Sequence, residues 1–510
     1  MRPYVKLLVL AAVLLSAGIA RAGEGTITLF HTNDLHARYA PEKIGREGEQ
    51  ALVGGFTAIE AALRRERETA PHSLYLDAGD FMTGTPLSDI EYQGAKGGAI
   101  VAFYNLVGLD AQVLGNHEFD QTLENLDALL SRAKYQVLAA NLRRSDGSLY
   151  TGKAYEILTV GEVRVGVIGI TIDELPSLTS AENRSRIEIE PGIETLRDLL
   201  PEVDEQSDLI VALSHEGIEK DREIARAVEG IDIIVGGHSH TRLDQGEWVN
   251  RVLILQAGSN GQWLGRADLD VRGDSLASAE CRLVRTDAKG AEASEDLGDL
   301  IQMFRTRIEK EYGAVIAEAR AELGRCYFCE SDLGNWVTDR LRETTGADVA
   351  LLNSGGIRKD IARGPVTKLD LFEVLPFWNG ISVFTCTGEE LRTIALTNAI
   401  AEAEEIHGIL QVSGLTYSWW KSPEGIQIHT ALVDGKPVDP AKTYTVASVD
   451  FVAESNPEKY LGFVPSDLEN LGVTLTTRVM EAAERLGVIE APQEDRIQRV
   501  EIDFAAPKGR

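Results

Sequence analysis

The chain reads as an α/β protein of two parts: a layered α/β domain followed by a smaller α+β domain. Three observations predict this. From Thr26 to about Val271, short β-branched apolar runs alternate with amphipathic stretches, the pattern of strands interleaved with helices. A charged, proline-free segment follows at 290–322. From about Leu323 the order changes to a helix, a strand and then mixed elements. At 510 residues the chain is long enough for separate hydrophobic cores.

The elements follow in order. "MRPYVKLLVLAAVLLSAGIARAGEG" has Arg2 and Lys6 before an apolar run, then the small-x-small pattern Ala20-Arg21-Ala22. This predicts a secretory signal peptide at 1–22, removed after Ala22, with no cysteine after the run to carry a lipid. A first domain is predicted over 23–290. Its strands are "TITLFHT", "SLYLDA", "AQVLG", "VRVGVIGI", "LIVALS", "IDIIVGG" and "RVLILQAG", with helices such as "TAIEAALRRERE" and "TLENLDALLSRA" between them. A connector helix is predicted over 291–322. The second domain, 323–510, opens with the helix "LGNWVTDRLRETTG" and the strand "DVALLNSG" and closes with "RIQRVEIDF". No later segment is long and apolar enough to span a bilayer. The protein is therefore expected to be exported, periplasmic and soluble, with no membrane partner.

The formal net charge of -29 argues against a nucleic-acid polymer or an anionic lipid surface as partner. A small phosphate ester would need metal ions or placed arginines to overcome that field. Of the four cysteines, Cys281, Cys326, Cys329 and Cys386, the "CYFC" pair has the spacing of a redox motif, half a metal site or a tight disulfide. Without a thioredoxin-like setting or a second cysteine pair, a structural disulfide or two free thiols is the better reading.

The chemistry collects at strand ends. After "TITLFHT" come Asn33, Asp34 and His36, and after "SLYLDA" comes Asp80. "AQVLG" delivers Asn116, His117 and Asp120, "LIVALS" delivers His215, and "IDIIVGG" delivers His238 and His240. In open α/β sheets the carboxyl ends of the strands form the ligand crevice. A lone strand-end aspartate is ordinarily a cap or turn residue, and a lone histidine a surface residue. Yet five of only nine histidines sit in these positions, which coincidence explains poorly. Carboxylate, imidazole and amide without thiolate favour borderline-to-hard divalent ions. There are too many ligands for one open catalytic ion and enough for two. Asp80 is the candidate bridge, and two ions roughly 3.5–4 Å apart suit phosphoryl transfer. That leaves His117 free of ligand duty, with Asp120 able to orient its ring.

In order along the chain, "NDLHA", "GDFMTGTPLS", "GNHEFD", "SHEG" and "GGHSH" resemble the blocks of the calcineurin-like metallophosphoesterases. "GNHEFD" and "GGHSH" resemble in particular the branch of secreted 5'-nucleotidases and UDP-sugar hydrolases. The resemblance implies a four-layer metallophosphoesterase β-sandwich flanked by helices over about 26–270, and a nucleotidase-type substrate domain after the connector. It implies one metal held by Asp34, His36, Asp80 and His240, and a second held by Asp80, Asn116, His215 and His238. The ions would be two of Mn, Zn, Co, Fe or Mg. His117 would contact the phosphate, oriented by Asp120. His240 stands where relatives often have Gln or Asn, and Ala37 where they usually have Gly. Glu118 has no role in the pattern and is expected to make a local contact.

In the second domain "LLNSGGIR" resembles the family's "NGGGIR" loop, implying substrate contacts at Asn353, Gly355, Gly356 and Arg358. "VLPFWN" and "VDFVAES" put Phe377 and Phe451 where the family has a base-stacking pair, which suits any nucleobase; on spacing alone both would read as core. Two departures stand out. Relatives have a ribose-binding Asp after the second Phe, where this chain has "ESNPEKY" and only Glu454 or Glu458 as replacements. They also have an Arg before the Phe equivalent to Phe328, where this chain has Tyr327, with Arg325 nearby. The expected activity is hydrolysis of nucleoside 5'-monophosphates. Other readings are UDP-sugar hydrolysis, 2',3'-cyclic nucleotide phosphodiesterase, a thiosulfohydrolase-type sulfur-ester hydrolase, and an inactive nucleotide-binding protein. The resemblance further implies that the second domain rotates to carry substrate to the metals.

Overall fold

Residues 24–44, 51–491 and 494–501 are described by a computed structural model. The leader expected at 1–22 lies outside the described residues.

The apolar runs of the first half become two six-stranded sheets. One has the order Leu276–Arg285, Trp263–Val271, Gly25–Thr32, Ser73–Asp77, Ala111–Val113, Gln136–Leu138. The other runs Tyr155–Val160, Val163–Ile170, Leu209–Ser214, Ile233–Gly236, Val252–Leu255, Glu247–Val249. The central pairs of both are parallel. Parallel strands joined by helices must be covered on both faces, so their runs are apolar throughout. Alternate residues divide the work. Leu29, Leu76 and Val113 from one sheet meet Val165, Val211, Val235 and Leu253 from the other in a dry layer between the sheets. Phe30 and Tyr75 point the opposite way, into a cluster with residues of helices Phe56–Arg67 and Gly98–Val107. Ile168, Ile210 and Ile234 pack outward among residues of helices Gly192–Asp204 and Ile218–Ala227. The result is the four-layer helix–sheet–sheet–helix sandwich.

The connector departs from the expected single helix over 291–322. The helix is Glu295–Tyr312 and stops at Gly313, and Val315–Ala319 is a strand. That strand pairs antiparallel with Gly364–Thr367 and parallel with Val488–Ile489. "VIAEA" has the composition of a helix, but its period of two buries Ala317 and Ala319 in the second core, and pairing overrides propensity. The helix is also anchored rather than free. Leu297, Phe304 and Ile308 belong to the first half's outer cluster, and Phe304 meets the rings of Tyr92 and Phe103 at 5.4 and 6.3 Å.

The second half is built on a five-stranded sheet, ordered Leu410–Ser413, Val349–Asn353, Thr443–Val449, Gly380–Thr387, Glu469–Thr474. Helices Asp332–Thr345, Gly388–Glu404 and Leu475–Leu486 contribute to one apolar cluster with it. Cys326 and Cys329 form a disulfide, while Cys281 and Cys386 are free thiols.

One buried group makes stability depend on pH. His31 is opposite Gly265 in the sheet, where any added Cβ would sit 1.9 Å from its Nε2. Its Nδ1 has no partner, and burial pushes its pKa down to about 4. The unfolded chain takes up the proton near pH 6.5 and the folded chain only near 4. The contribution is therefore full above 6.5 and is lost as pH falls through this window, the loss amounting to about 2 kcal/mol at pH 5. The urea midpoint of the wild type should drop more between pH 7 and pH 5 than that of His31→Leu. Equal drops would show that His31 is not the source.

Candidate active site

The site begins as an extension of a parallel ladder beyond the ends of its strands. Past Thr32 and Asp77 the backbones stay zipped: Ala78 N donates to Thr32 O, Asp34 N to Gly79 O, His36 N to Asp80 O and Ala37 N to Phe81 O, all at 2.8–2.9 Å. To keep pairing while turning their side chains to one side, the loops enter the left-handed region at Asp34 (φ 51°), His36 (51°) and Asp80 (56°). His238 (68°) and His240 (53°) do the same on a neighbouring loop. Aspartate and histidine tolerate this better than most side chains, but each still costs about 1–2 kcal/mol.

Buried polar side chains hold those turns. The carboxylate of Glu118 accepts from the backbone N–H of Asp80, Phe81, Met82 and Gly115 at 2.7–3.2 Å. Asn33 is fixed by Ala257 N at 2.8 Å and by Gly258 O, and its amide also donates to Asp34 Oδ2. Gln256 donates to Gly237 O at 2.8 Å and accepts from Ser239 Oγ at 2.9 Å. Gly115 is needed for space, since a Cβ there would fall 2.2 Å from Asp80 Oδ1.

Three clusters of ligand-type atoms result: Asp34, His36 and His240; His36, Asp80 and His117; and Asp80, His215 and His238. Asp34 Oδ1 lies 3.3 Å from His240 Nε2, and the Nε2 atoms of His36 and His240 are 2.9 Å apart. His215 Nε2 is 3.1 Å from Asp80 Oδ2. Asn116 Oδ1 joins the last cluster, 3.0 Å from His238 Nδ1. All seven residues expected as ligands are thus brought together, with Asp80 between the two outer groups.

The donor set fits divalent ions. His36 Nδ1 faces the carbonyl of Thr83 at 3.1 Å, and His215 Nδ1 faces that of Ala78 at 2.5 Å. Both rings therefore carry a proton on Nδ1, which leaves Nε2 as the nitrogen that faces inward. His215 Nε2 is buried and faces the Asp80 carboxylate. Fixing a tautomer through the outer nitrogen is how a protein prepares imidazole for a metal.

The electrostatics agree. Burial opposes charge on Asp34, yet His240 and His215 beside it hold its carboxyl at about 2. Asp80 is held well below the usual range by His215 and His117 against its own burial. Burial and then His240 push His36 well down, and burial and then His215 push His238 to about 4, so both rings are neutral at pH 7. His215 is buried too, but Asp80 outweighs that and raises it to about 10. A divalent ion that binds at its Nε2 must displace that proton.

Within the middle cluster, His117 Nδ1 meets Asp120 Oδ2 at 2.7 Å, and Asp120 also accepts from Thr83 Oγ1 at 2.6 Å. His117 Nε2 faces inward, 3.9 Å from Asp80 Oδ2. Burial would lower its pKa, but Asp120 and Asp80 raise it overall.

The second half reaches this point. The Phe377 ring lies 5.6 Å from that of His117 at 30°, and the Arg358 guanidinium lies 5.9 Å from the centre of Phe377. Asn353 is buried with Oδ1 unpartnered, beside Gly355 and Gly356. Tyr327 is half-exposed over Gly408 and Gly355, its carbonyl held by Ser354 Oγ at 2.7 Å. Phe451 packs against the second core and Tyr460. Arg325 donates its backbone N–H to Asp360. Glu454 accepts from Ser382 Oγ at 2.8 Å and from Asn470, while Glu458 is exposed.

Three residues carry more than their sequence setting indicates. Glu118 is a four-fold backbone clamp rather than a simple local contact. Thr83 steadies both His36 and Asp120. Glu373 meets Arg38 of the first half. Of these only Glu118 carries a signal, as a carboxylate inside a loop rich in ligands.

Two outcomes are expected. Glu118→Ala frees four backbone donors beneath Asp80 and should weaken metal affinity about 10- to 100-fold, read by titration calorimetry; unchanged affinity would remove Glu118 from the support. Metal uptake by stripped protein at pH 7 should release protons, and apparent affinity should rise with pH, because His215 must give up its proton. Calorimetry in buffers of different ionisation enthalpy measures this, and no buffer dependence would contradict it.

Residues 27–242 match the family model for calcineurin-like phosphoesterase, and 309–460 match that for the 5'-nucleotidase C-terminal domain. The chain is 30% identical over 467 residues to 5'-nucleotidase of Bos taurus, covering 81% of this chain and 78% of that one. It is similar to the crystal structure of a 5'-nucleotidase precursor from Thermus thermophilus, with TM-score 0.82, 28% identity and coverage of 94% and 100%. The sulfate thiohydrolase SoxB of Thermus thermophilus shares the fold at TM-score 0.78 and 19% identity, over 94% and 98% of the chains. The chain belongs to the 5'-nucleotidase family of metal-dependent phosphoester hydrolases.

Proposed function

We propose that the protein is an exported 5'-nucleotidase that holds two divalent metal ions and hydrolyses nucleoside 5'-monophosphates to nucleoside and phosphate. In this reading 23–290 is the phosphoesterase domain, 291–322 the connector and 323–510 the substrate domain. One ion is held by Asp34, His36, Asp80 and His240, the other by Asp80, Asn116, His215 and His238. Such ions supply Lewis acidity toward the phosphoryl oxygens and lower the pKa of water.

The observation that carries the reading is the Phe377 ring lying over His117 at 5.6 Å. It joins an apolar wall fit for a base to an imidazole fit for a phosphate. Asp120 takes the Nδ1 proton of His117 as a hydrogen bond, so the inward Nε2 is where the ring holds a proton toward a phosphoryl oxygen. Arg358 adds a fixed positive charge beside it, which partly overcomes the acidity of the chain. Asn353, Gly355 and Gly356 line the substrate loop, and Phe451 is the second wall. Among the described residues no helix is long and apolar enough to cross a membrane.

UDP-sugar hydrolysis and 2',3'-cyclic nucleotide phosphodiesterase change only the ester. A sulfur-ester substrate is favoured by one observation: Glu454, a candidate ribose ligand, already accepts from Ser382 and Asn470. A panel of AMP, UDP-glucose, 2',3'-cyclic AMP and an aryl phosphate, run on protein loaded with Mn, Zn, Co or Mg, separates these readings. AMP should be turned over with the highest kcat/KM. Aryl phosphate hydrolysis without nucleotide preference would reject the nucleotidase reading and spare phosphoester hydrolysis. His117→Ala should lower kcat about 10²- to 10⁴-fold with metal content unchanged, and full turnover would reject its assignment.

A further inference from the structure

We propose that Glu373 is a positioning residue that seats the substrate wall of the second half on the metal-binding loop of the first. It does so through a buried ion pair with Arg38, flanked by the partly exposed Lys359. The inference rests on the reading of the ligand clusters and of Phe377 given above.

Arg38 comes two residues after His36 on the same loop. That loop is fixed beneath it: Ala37 N donates to Phe81 O at 2.8 Å, and Ala37 O accepts from Thr85 Oγ1 at 2.8 Å. The Arg38 guanidinium reaches across to Glu373 Oε1, and Lys359 Nζ binds Glu373 Oε2. The Arg38 and Glu373 side chains are only 11% and 9% exposed. Arg38 Nε is buried without a partner, so Glu373 is the carboxylate that answers its charge.

Glu373 is tied on its other side to the substrate residues. It lies in helix Lys368–Val374, and the carbonyl of Val374 accepts the backbone N–H of Arg358 at 2.8 Å. Phe377 follows four positions later. The carbonyls of Leu375 and Phe377 are both held by Thr476 Oγ1, at 2.7 and 2.8 Å. A carboxylate fixed against the His36 loop therefore fixes both the Arg358 backbone and the Phe377 ring over His117.

Magnitude decides why this pair matters. An exposed ion pair contributes too little to choose one arrangement of two large bodies. A buried one behaves differently, because separating it strands a charge away from water. By contrast, the bond of Arg184 to the carbonyl of Ser455, also between the halves, is long at 3.4 Å and has a neutral acceptor.

The test uses the full chain, metal-loaded, on whichever phosphoester the wild type hydrolyses fastest, so its result does not depend on the substrate being a nucleotide. Glu373→Gln and Arg38→Met should each lower kcat/KM about tenfold or more. The double variant should be no worse than the poorer single, because each substitution already breaks the same contact. Glu373→Asp should recover part of the loss, and metal content should stay at the wild-type level throughout. Singles within twofold of wild type, losses that multiply in the double variant, or loss of metal would each overturn the proposal. Should Glu373→Gln fail to fold, Arg38→Met against Arg38→Lys gives the same comparison, with rescue by Lys expected and equal losses contradicting it.

Discussion

Backbone pairing between the 33–37 loop and the 78–81 loop is the interaction on which the rest of the site depends. Four hydrogen bonds carry a parallel ladder past the point where its strands end. To stay paired, Asp34, His36 and Asp80 must adopt left-handed backbone, and that conformation turns their side chains to one side. The strain is balanced by the clamp of Glu118, by Asn33 on Gly258, and by the sandwich core behind the strands. Strain of this kind persists only where its surroundings over-determine it, and it concentrates at functional sites.

Charge follows from that geometry. Asp34 and Asp80 are buried beside five imidazoles, and a buried carboxylate must be paired or bound to a cation. Asp80 draws a proton onto His215, which meets part of this need. The site is thus built around a competition between protons and divalent ions, with Nδ1 of His36 and His215 already committed to carbonyls. The second half adds what the metal loop lacks: an aromatic face, a guanidinium, and a carboxylate that answers Arg38.

Much of this is legible in the residues. The apolar runs give the strands, and residues at the ends of five of them give every expected ligand. The sandwich itself comes from resemblance, because alternation within an apolar run does not say which face meets another sheet. The connector misleads, since "VIAEA" has helix-forming composition and becomes a strand only through partners at 364–367 and 488–489. Glu118 looks as catalytic as His117 in "GNHEFD", and only the direction of its carboxylate, toward backbone donors, separates them. The Arg38–Glu373 contact spans 335 residues, and no local pattern could indicate it.

In the proposed reading Asp80 joins two metal positions in one site. Metal content per chain, measured by inductively coupled plasma mass spectrometry after loading and removal of free ion, tests it without reference to substrate. Two equivalents are expected for the wild type and no more than one for Asp80→Asn. A wild type that saturates at one equivalent, or an Asp80→Asn variant that keeps two, would contradict it.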